Sequence, residues 1–350
     1  MKNRLSFFIK LILFIFVVSF LYSNVSKILV LKDYDISNNI NSSIRFDVLS
    51  EKADGFYALD RNSLDVLFIG SSNIHCNINP NILWHEYGVT SYDFSSDQQD
   101  LGTSYYYLKE ALKSQKPSIA VIDIRDGGKQ DSISDMAAHF AFDHLKNDCL
   151  RIEAILGRAR GNAYEMIFPI IAYHDRWKSI SKNDLLYKKY QYNVLKGALI
   201  YMDDDGASNY CPVTGVPDIE LSDASCEWIE KIEKLCKDNN ISCIFIKTPF
   251  GYYDENYFAY FKAFGRYCEE KGYVFLDMHD YVDEMRIDFQ ADYRDSEHMN
   301  WNGQQKLTHF LGGYLFANYS LYDKRNDVKY KRWDYDYDIM ISLVNDYYSK

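Results

Sequence analysis

Asp65-Val66-Leu67-Phe68-Ile69-Gly70-Ser71-Ser72 is the stretch on which the fold of this chain turns. Four consecutive apolar residues between turn-forming neighbours read as a strand buried on both faces, the kind that parallel sheets use. Beyond Ser72 the pattern alternates. Pro80 at a first helical turn opens a short helix ending near Gly88, and residues 90–94 read as a second strand. Residues 101–114 place Leu101, Tyr105, Leu108 and Leu112 on one helical stripe that Pro117 stops, and 119–124 is a third strand. After a pause the pattern resumes with a helix at 222–239, a strand at 241–246, a helix at 255–271 and a strand at 273–276. A last helix carries Leu307, Phe310, Leu311, Tyr314 and Leu315. Strands alternating with helices need right-handed crossovers, so the fold class is α/β, a doubly wound five-stranded parallel sheet with helices on both faces.

The chain begins differently. Residues 5–22 are almost wholly apolar, interrupted by Ser6, Lys10 and Ser19, and preceded by Lys2 and Arg4. A basic end followed by about twenty apolar residues fits an N-terminal transmembrane helix, with Lys10 snorkelling toward the headgroups. Leu21-Tyr22-Ser23-Asn24-Val25 is a poor small-x-small cleavage site, so the reading is an uncleaved anchor with the remaining chain outside the cell. The expected organisation is an anchor at 1–26, a stalk at 27–60, a domain at 61–317 with a helical insertion at 126–220, and a polar, Tyr-rich tail at 318–350.

With 39 Lys and Arg against 50 Asp and Glu, the net charge is −11 and there is no basic stripe, which excludes nucleic acid as a partner. The 31 Tyr and 21 Phe suit a sugar-binding surface, but also a codon bias toward Tyr, Phe, Asn, Lys and Ile. Seven scattered cysteines (Cys76, Cys149, Cys211, Cys226, Cys236, Cys243, Cys268) show no zinc-type spacing, and most of them read as small buried hydrophobes. Asp203-Asp204-Asp205-Gly206 fails the EF-hand pattern, because Tyr201 and Pro212 fall where the first and twelfth ligands belong. No metal and no organic cofactor are expected.

Two motifs carry chemistry. Ser72 comes after a strand and a Gly-Ser pair, where Gly70 permits a tight turn and the next amides can face an anion. That pattern also fits an ordinary βα turn or a phosphate loop. Asp295-Ser296-Glu297-His298-Met299-Asn300 puts a carboxylate three residues before an imidazole, close enough to fix its tautomer. It equally fits a polar helix start capped by Asn300 or Asn302. Ligands bind such sheets beyond the carboxyl ends of the strands, and both motifs lie in connections at that edge.

Together the motifs resemble blocks I and V of the SGNH (GDSL-type) serine hydrolases, over residues 64–317. The resemblance implies a flavodoxin-like sheet, Ser72 as nucleophile, His298 as general base and acid, and Asp295 as its orienter. It is nearest to the membrane-anchored, extracytoplasmic branch linked to O-acylation of cell-surface polysaccharide, where a Ser-Ser turn often replaces Gly-Asp-Ser. The expected partners are then a cell-surface glycan or an acyl donor, the membrane, and a membrane-bound acyltransferase.

Two blocks depart from the family pattern. Strand two ends in Asp93-Phe94-Ser95-Ser96-Asp97-Gln98-Gln99, so the amide of Ser95 or Ser96, or the Gln98 or Gln99 side chain, stands where the family's oxyanion glycine would be. Strand three ends in Asp123-Ile124-Arg125-Asp126 without the family's asparagine, leaving Arg125 as a cationic donor or as a partner of Asp123 or Asp126. His75, three residues after Ser72, is close enough to line the site but reads first as a surface histidine at a helix start, and His309 reads as structural. In the insertion, His174 and Arg176 fit either a sugar or acyl-donor contact or a local ion pair beside Trp177. The rival reading is a non-catalytic envelope protein that binds glycan or serves as a scaffold. A nucleotide-binding domain is set aside, because no Gly-Lys-Ser/Thr loop or Gly-x-Gly-x-x-Gly fingerprint is present.

Overall fold

A computed structural model describes residues 2–32, 43–44, 52–125, 133–159, 161, 163–203, 215–251 and 255–349. Asp126, Cys211 and Asp204-Asp205-Gly206 lie outside them. The strands are β1 (Ser43–Ile44), β2 (Val66–Ile69), β3 (Ser91–Asp93), β4 (Ile119–Asp123), β5 (Ile200–Tyr201), β6 (Ser242–Lys247) and β7 (Phe275–Asp277). Five of them form one parallel sheet in the order β3-β2-β4-β6-β7, with Phe68 beside Asp93 and Val121, and Ile246 beside Leu276. β1 and β5 make a separate antiparallel pair that the sequence pattern did not announce.

Alternate strand residues feed two cores. Leu67, Ile69, Ala120, Ile122 and Phe245 pack under the helices Leu101–Ala111, Asp223–Asp238 and Glu255–Lys271. Val66, Phe68, Val121, Ile244 and Ile246 pack under Ser72–Asn77, Pro80–Tyr87 and Trp301–Asn318. Burial on both faces is what makes these strands continuous apolar runs.

Three expected boundaries shift. The expected stalk joins the domain at its end, because the helix Lys52–Tyr57 puts Phe56 in the core, stacked on Phe94 at 4.1 Å. The expected polar tail is a helix, Lys331–Tyr348, packed on Pro80–Tyr87. Its Trp333, Met340 and Val344 form a narrow buried stripe, and the Trp84 indole donates to Asp334 at 2.9 Å. Tyrosines and aspartates around the stripe mask its period. The insertion does not simply cover the site edge. Its helices Asp135–Phe142 and Cys149–Arg158 extend one core beside Leu101–Ala111, where Tyr107 donates to the Ala141 carbonyl at 2.7 Å. Among the described residues its last part, through β5, returns to the site.

The helix Lys2–Leu29 stands outside the cores, and its stretch Arg4–Leu29 is long and apolar enough to cross a membrane. At 1.5 Å per residue it spans about 39 Å, more than a bilayer's hydrocarbon core of about 30 Å. The six described cysteines are unpaired; Cys76, Cys236, Cys243 and Cys268 are buried, Cys226 is half-buried and Cys149 is exposed.

Candidate active site

The turn after β2 is held from the neighbouring strand. Asp123, at the end of β4, accepts from the Ser71 hydroxyl at 2.5 Å and from the amides of Ser71 and Arg125 at 3.2 and 3.1 Å. The Ser71 oxygen in turn accepts from the Asn73 amide and caps the helix Ser72–Asn77. This arrangement requires Gly70. Its φ is +155°, and a Cβ there would stand 2.4 Å from the Cβ of Asp123. Ser71 is committed to the scaffold, and Ser72 is left at the edge of the sheet.

The second half comes from a turn after β7. The Tyr293–Met299 bridge, the Arg294 amide on the His298 carbonyl (2.9 Å) and the Gly251 amide on the Ser296 carbonyl (3.0 Å) fold residues 293–299 back on themselves. The Asp295 carboxylate then accepts from the amides of Glu297 and His298 at 2.9 and 2.8 Å and lies 2.9–3.0 Å from His298 Nδ1. Burial alone would raise its pKa. The His298 ring and the two amides outweigh that and lower it to about 2, so the carboxylate is ionised at neutral pH. His298 Nε2 is 2.8 Å from Ser72 Oγ. Ser72, His298 and Asp295, separate in the chain, thus lie in one line of hydrogen bonds.

Other expected site residues fall into different places. The Ser96 amide donates to the Gly70 carbonyl at 3.2 Å as a continuation of the sheet ladder, and its hydroxyl donates to Gln99. The Ser95 amide has no backbone acceptor among the described residues, and the Ser95 hydroxyl is 2.9 Å from His75 Nδ1. Gln98 is exposed at φ +54°, while Gln99 is buried and donates to Ser104. His75 is buried rather than on the surface, its Nε2 lying 3.3 Å from Asp97. Arg125 is paired with Glu297, inside the Asp-His turn, with its guanidinium over the rings of Tyr257 and Phe250. His174 is exposed; its ring meets the Ile171 carbonyl at 2.6 Å, in a segment packed on the anchor helix.

Several residues at the site escaped the sequence reading. Asn77 Oδ1 accepts from the Met299 amide at 2.8 Å, and its Nδ2 donates to Thr248 and to the Glu297 carbonyl. Gln304 donates to the carbonyls of Cys76 and Leu199, both at 3.0 Å, and accepts from Asn79 at 2.9 Å. Tyr201 of β5 sits with its ring 6.3 Å from that of His298 and 4.2 Å from the Arg294 guanidinium, which lies 3.4 Å from Asp203. Nothing in the sequence singles out Asn77, since Asn73 and His75 in the same short helix are polar and buried as well.

No family model matches the chain, and no curated protein matches it. Among solved structures it is similar to one described as "Structure of a putative lipolytic protein of G-D-S-L family from Desulfitobacterium hafniense DCB-2", at 11% sequence identity and a TM-score of 0.38, covering 71% of this chain and 97% of that one.

Proposed function

We propose that this chain is a membrane-anchored, extracytoplasmic serine esterase or O-acyltransferase of the SGNH type, acting on ester-linked acyl groups of a cell-surface glycan, acetyl groups above all. The observation that carries the reading is the 2.8 Å contact between Ser72 Oγ and His298 Nε2, with Asp295 on the other ring nitrogen.

In this mechanism Ser72 Oγ attacks the acyl carbonyl as its proton passes to His298 Nε2. Asp295, ionised and tied to two amides, holds the ring and stabilises the imidazolium. In this reading the amides of Ser72 and Ser95 donate to the developing oxyanion. His298 then returns the proton to the departing sugar oxygen, leaving an acyl-serine. Water completes hydrolysis; a second sugar hydroxyl completes transfer. In either case His298 takes the incoming proton, and Ser72 recovers it when the acyl–Oγ bond breaks.

A second reading, a non-catalytic glycan-binding or scaffold protein, draws on two observations: the Ser96 amide is occupied by Gly70, and Arg125 by Glu297. Both groups are thereby withdrawn from an oxyanion. A serine-directed fluorophosphonate separates the readings. Labelling of the wild type, lost in Ser72→Ala and His298→Ala, supports the enzyme; a folded wild type that stays unlabelled supports the scaffold. Mass spectrometry of glycan acetylation in cells with and without the chain then tells addition from removal.

A further inference from the structure

We propose that residues 163–190 and the emerging end of the anchor helix form a face that beds in the headgroup layer of a bilayer containing anionic lipid. The inference rests on the reading of Lys2–Leu29 as a membrane-crossing helix.

That helix is not a free tether. The Arg176 guanidinium donates to the carbonyls of Leu29 and Val30 at 2.9 and 2.8 Å and to Asp184 at 3.1 Å. Lys32 donates to the Val30 carbonyl at 2.6 Å and to the same Asp184 at 3.1 Å. These contacts fix the segment against the last turn of the helix. Seven residues earlier, about 10 Å along the axis, the Tyr22 ring meets Phe168 edge-on at 6.1 Å. The predominantly apolar run ends at Tyr22, and Ser23, Asn24, Ser26 and Lys27 come next along the helix. The stretch from Tyr22 to Leu29 therefore crosses the interfacial layer, where tyrosine and tryptophan rings are favoured.

The docked segment presents the side chains that this layer accepts. Trp177 is 65% exposed and Leu185 60%, with Phe168, Ile171 and Leu186 also exposed. A concentration of exposed apolar residues marks a surface that is covered in use. Its charge says by what. Across 163–190 there are five basic residues (Arg176, Lys178, Lys182, Lys188, Lys189) and three acidic ones (Glu165, Asp175, Asp184), so the local charge is 5 − 3 = +2 in a chain of −11. Cations interleaved with exposed aromatic and aliphatic groups beside a membrane helix match anionic headgroups over an acyl boundary. A cavity of about 480 Å³ opens between the helix and the domain, apolar at Val18 and Phe168 and cationic at Lys27 and Lys189. The hydroxyls of Tyr22 and Ser26, which line it, have no hydrogen-bond partner among the described residues.

Trp177 is a built-in probe. Of the five tryptophans none is in the anchor, Trp84, Trp301 and Trp333 are buried, and Trp228 is half-buried. The full chain is reconstituted in phosphatidylcholine–phosphatidylglycerol vesicles whose lipids are brominated near the headgroup end of the acyl chains. Wild-type fluorescence is expected to be quenched, Trp177→Phe to lose most of that quenching, and Phe168→Trp in the Trp177→Phe background to regain it. Equal quenching in wild type and Trp177→Phe, or none in either, overturns the proposal. Quenching that is unchanged when phosphatidylglycerol is omitted overturns its anionic-lipid part. An alkaline carbonate wash of the same vesicles separates the two readings. Protein that washes off refutes the membrane-crossing helix and the face with it. Protein that stays while Trp177 is unquenched refutes the face alone.

Discussion

Asn77 holds Met299 across the site: its side-chain oxygen accepts the Met299 amide at 2.8 Å, although 222 residues separate them. The residue before Met299 is His298, and the helix that carries Asn77 begins at Ser72. One buried carboxamide therefore ties the serine half of the site to the histidine half. Asn77→Ala leaves the buried Met299 amide unpaired, a loss of about 1–3 kcal/mol in stability. Esterase turnover should fall by at least about tenfold, with KM little changed, because an imidazole about 1 Å out of place loses its proton-transfer geometry. Thermal unfolding and steady-state kinetics on an aryl acetate check both; unchanged kcat in a destabilised variant would leave Asn77 a purely structural role.

If Ser72 and His298 act as one unit, as proposed, Ser72→Ala, His298→Ala and the double variant should each lower turnover by roughly 10³-fold or more and to a similar floor. Multiplying losses in the double variant would show that the two side chains act independently.

Asp295 gives the site an acid limit. Its carboxylate titrates near 2 when folded and near 3.9 when unfolded, so its contribution to stability is complete above about 4 and is lost as the pH falls toward 2. Denaturant midpoints of wild type and Asp295→Asn should differ at neutral pH and converge across that window. A gap that widens on acidification contradicts the assignment.

Arg125 and Glu297 test the oxyanion question. If the pair only braces the Asp-His turn, Arg125→Met and Glu297→Gln should each reduce turnover less than about tenfold, and the double variant should be no worse than either single one. If Arg125 acts on the oxyanion, Arg125→Met alone should cost about a hundredfold or more. A double-mutant cycle in kcat/KM distinguishes the outcomes.

Gly70→Ala places a methyl group 2.4 Å from Asp123 and 3.0 Å from Ile74. The clash should cost about 1–3 kcal/mol and loosen the brace that Asp123 provides to Ser71. Differential scanning calorimetry together with fluorophosphonate labelling rate measures both effects.

The strands were legible because a sheet buried on both faces leaves a local signature: β2 was read at its observed limits, and β3, β4, β6 and β7 within two residues at each end. Pro80 and Gly88 bracketed their helix for reasons equally local, a preset φ at the start and a left-handed C-cap at φ +67°. The helix Lys331–Tyr348 was missed because only a narrow stripe is buried, among residues that read as polar. His75 was misplaced because its burial is supplied by Ser95 and Asp97, twenty or more residues away.

By itself the sequence determined the local grammar: which segments pair as strands, where the chain turns, and which short motifs carry a hydroxyl, an imidazole and a carboxylate. Tertiary structure decided which of those groups meet. It gave Ser71 to Asp123 and left Ser72 for His298, closed the Ser96 amide on Gly70, and paired Arg125 with Glu297. Backbone propensity and hydrophobic period act over a few residues, whereas a hydrogen bond depends on where distant segments are packed.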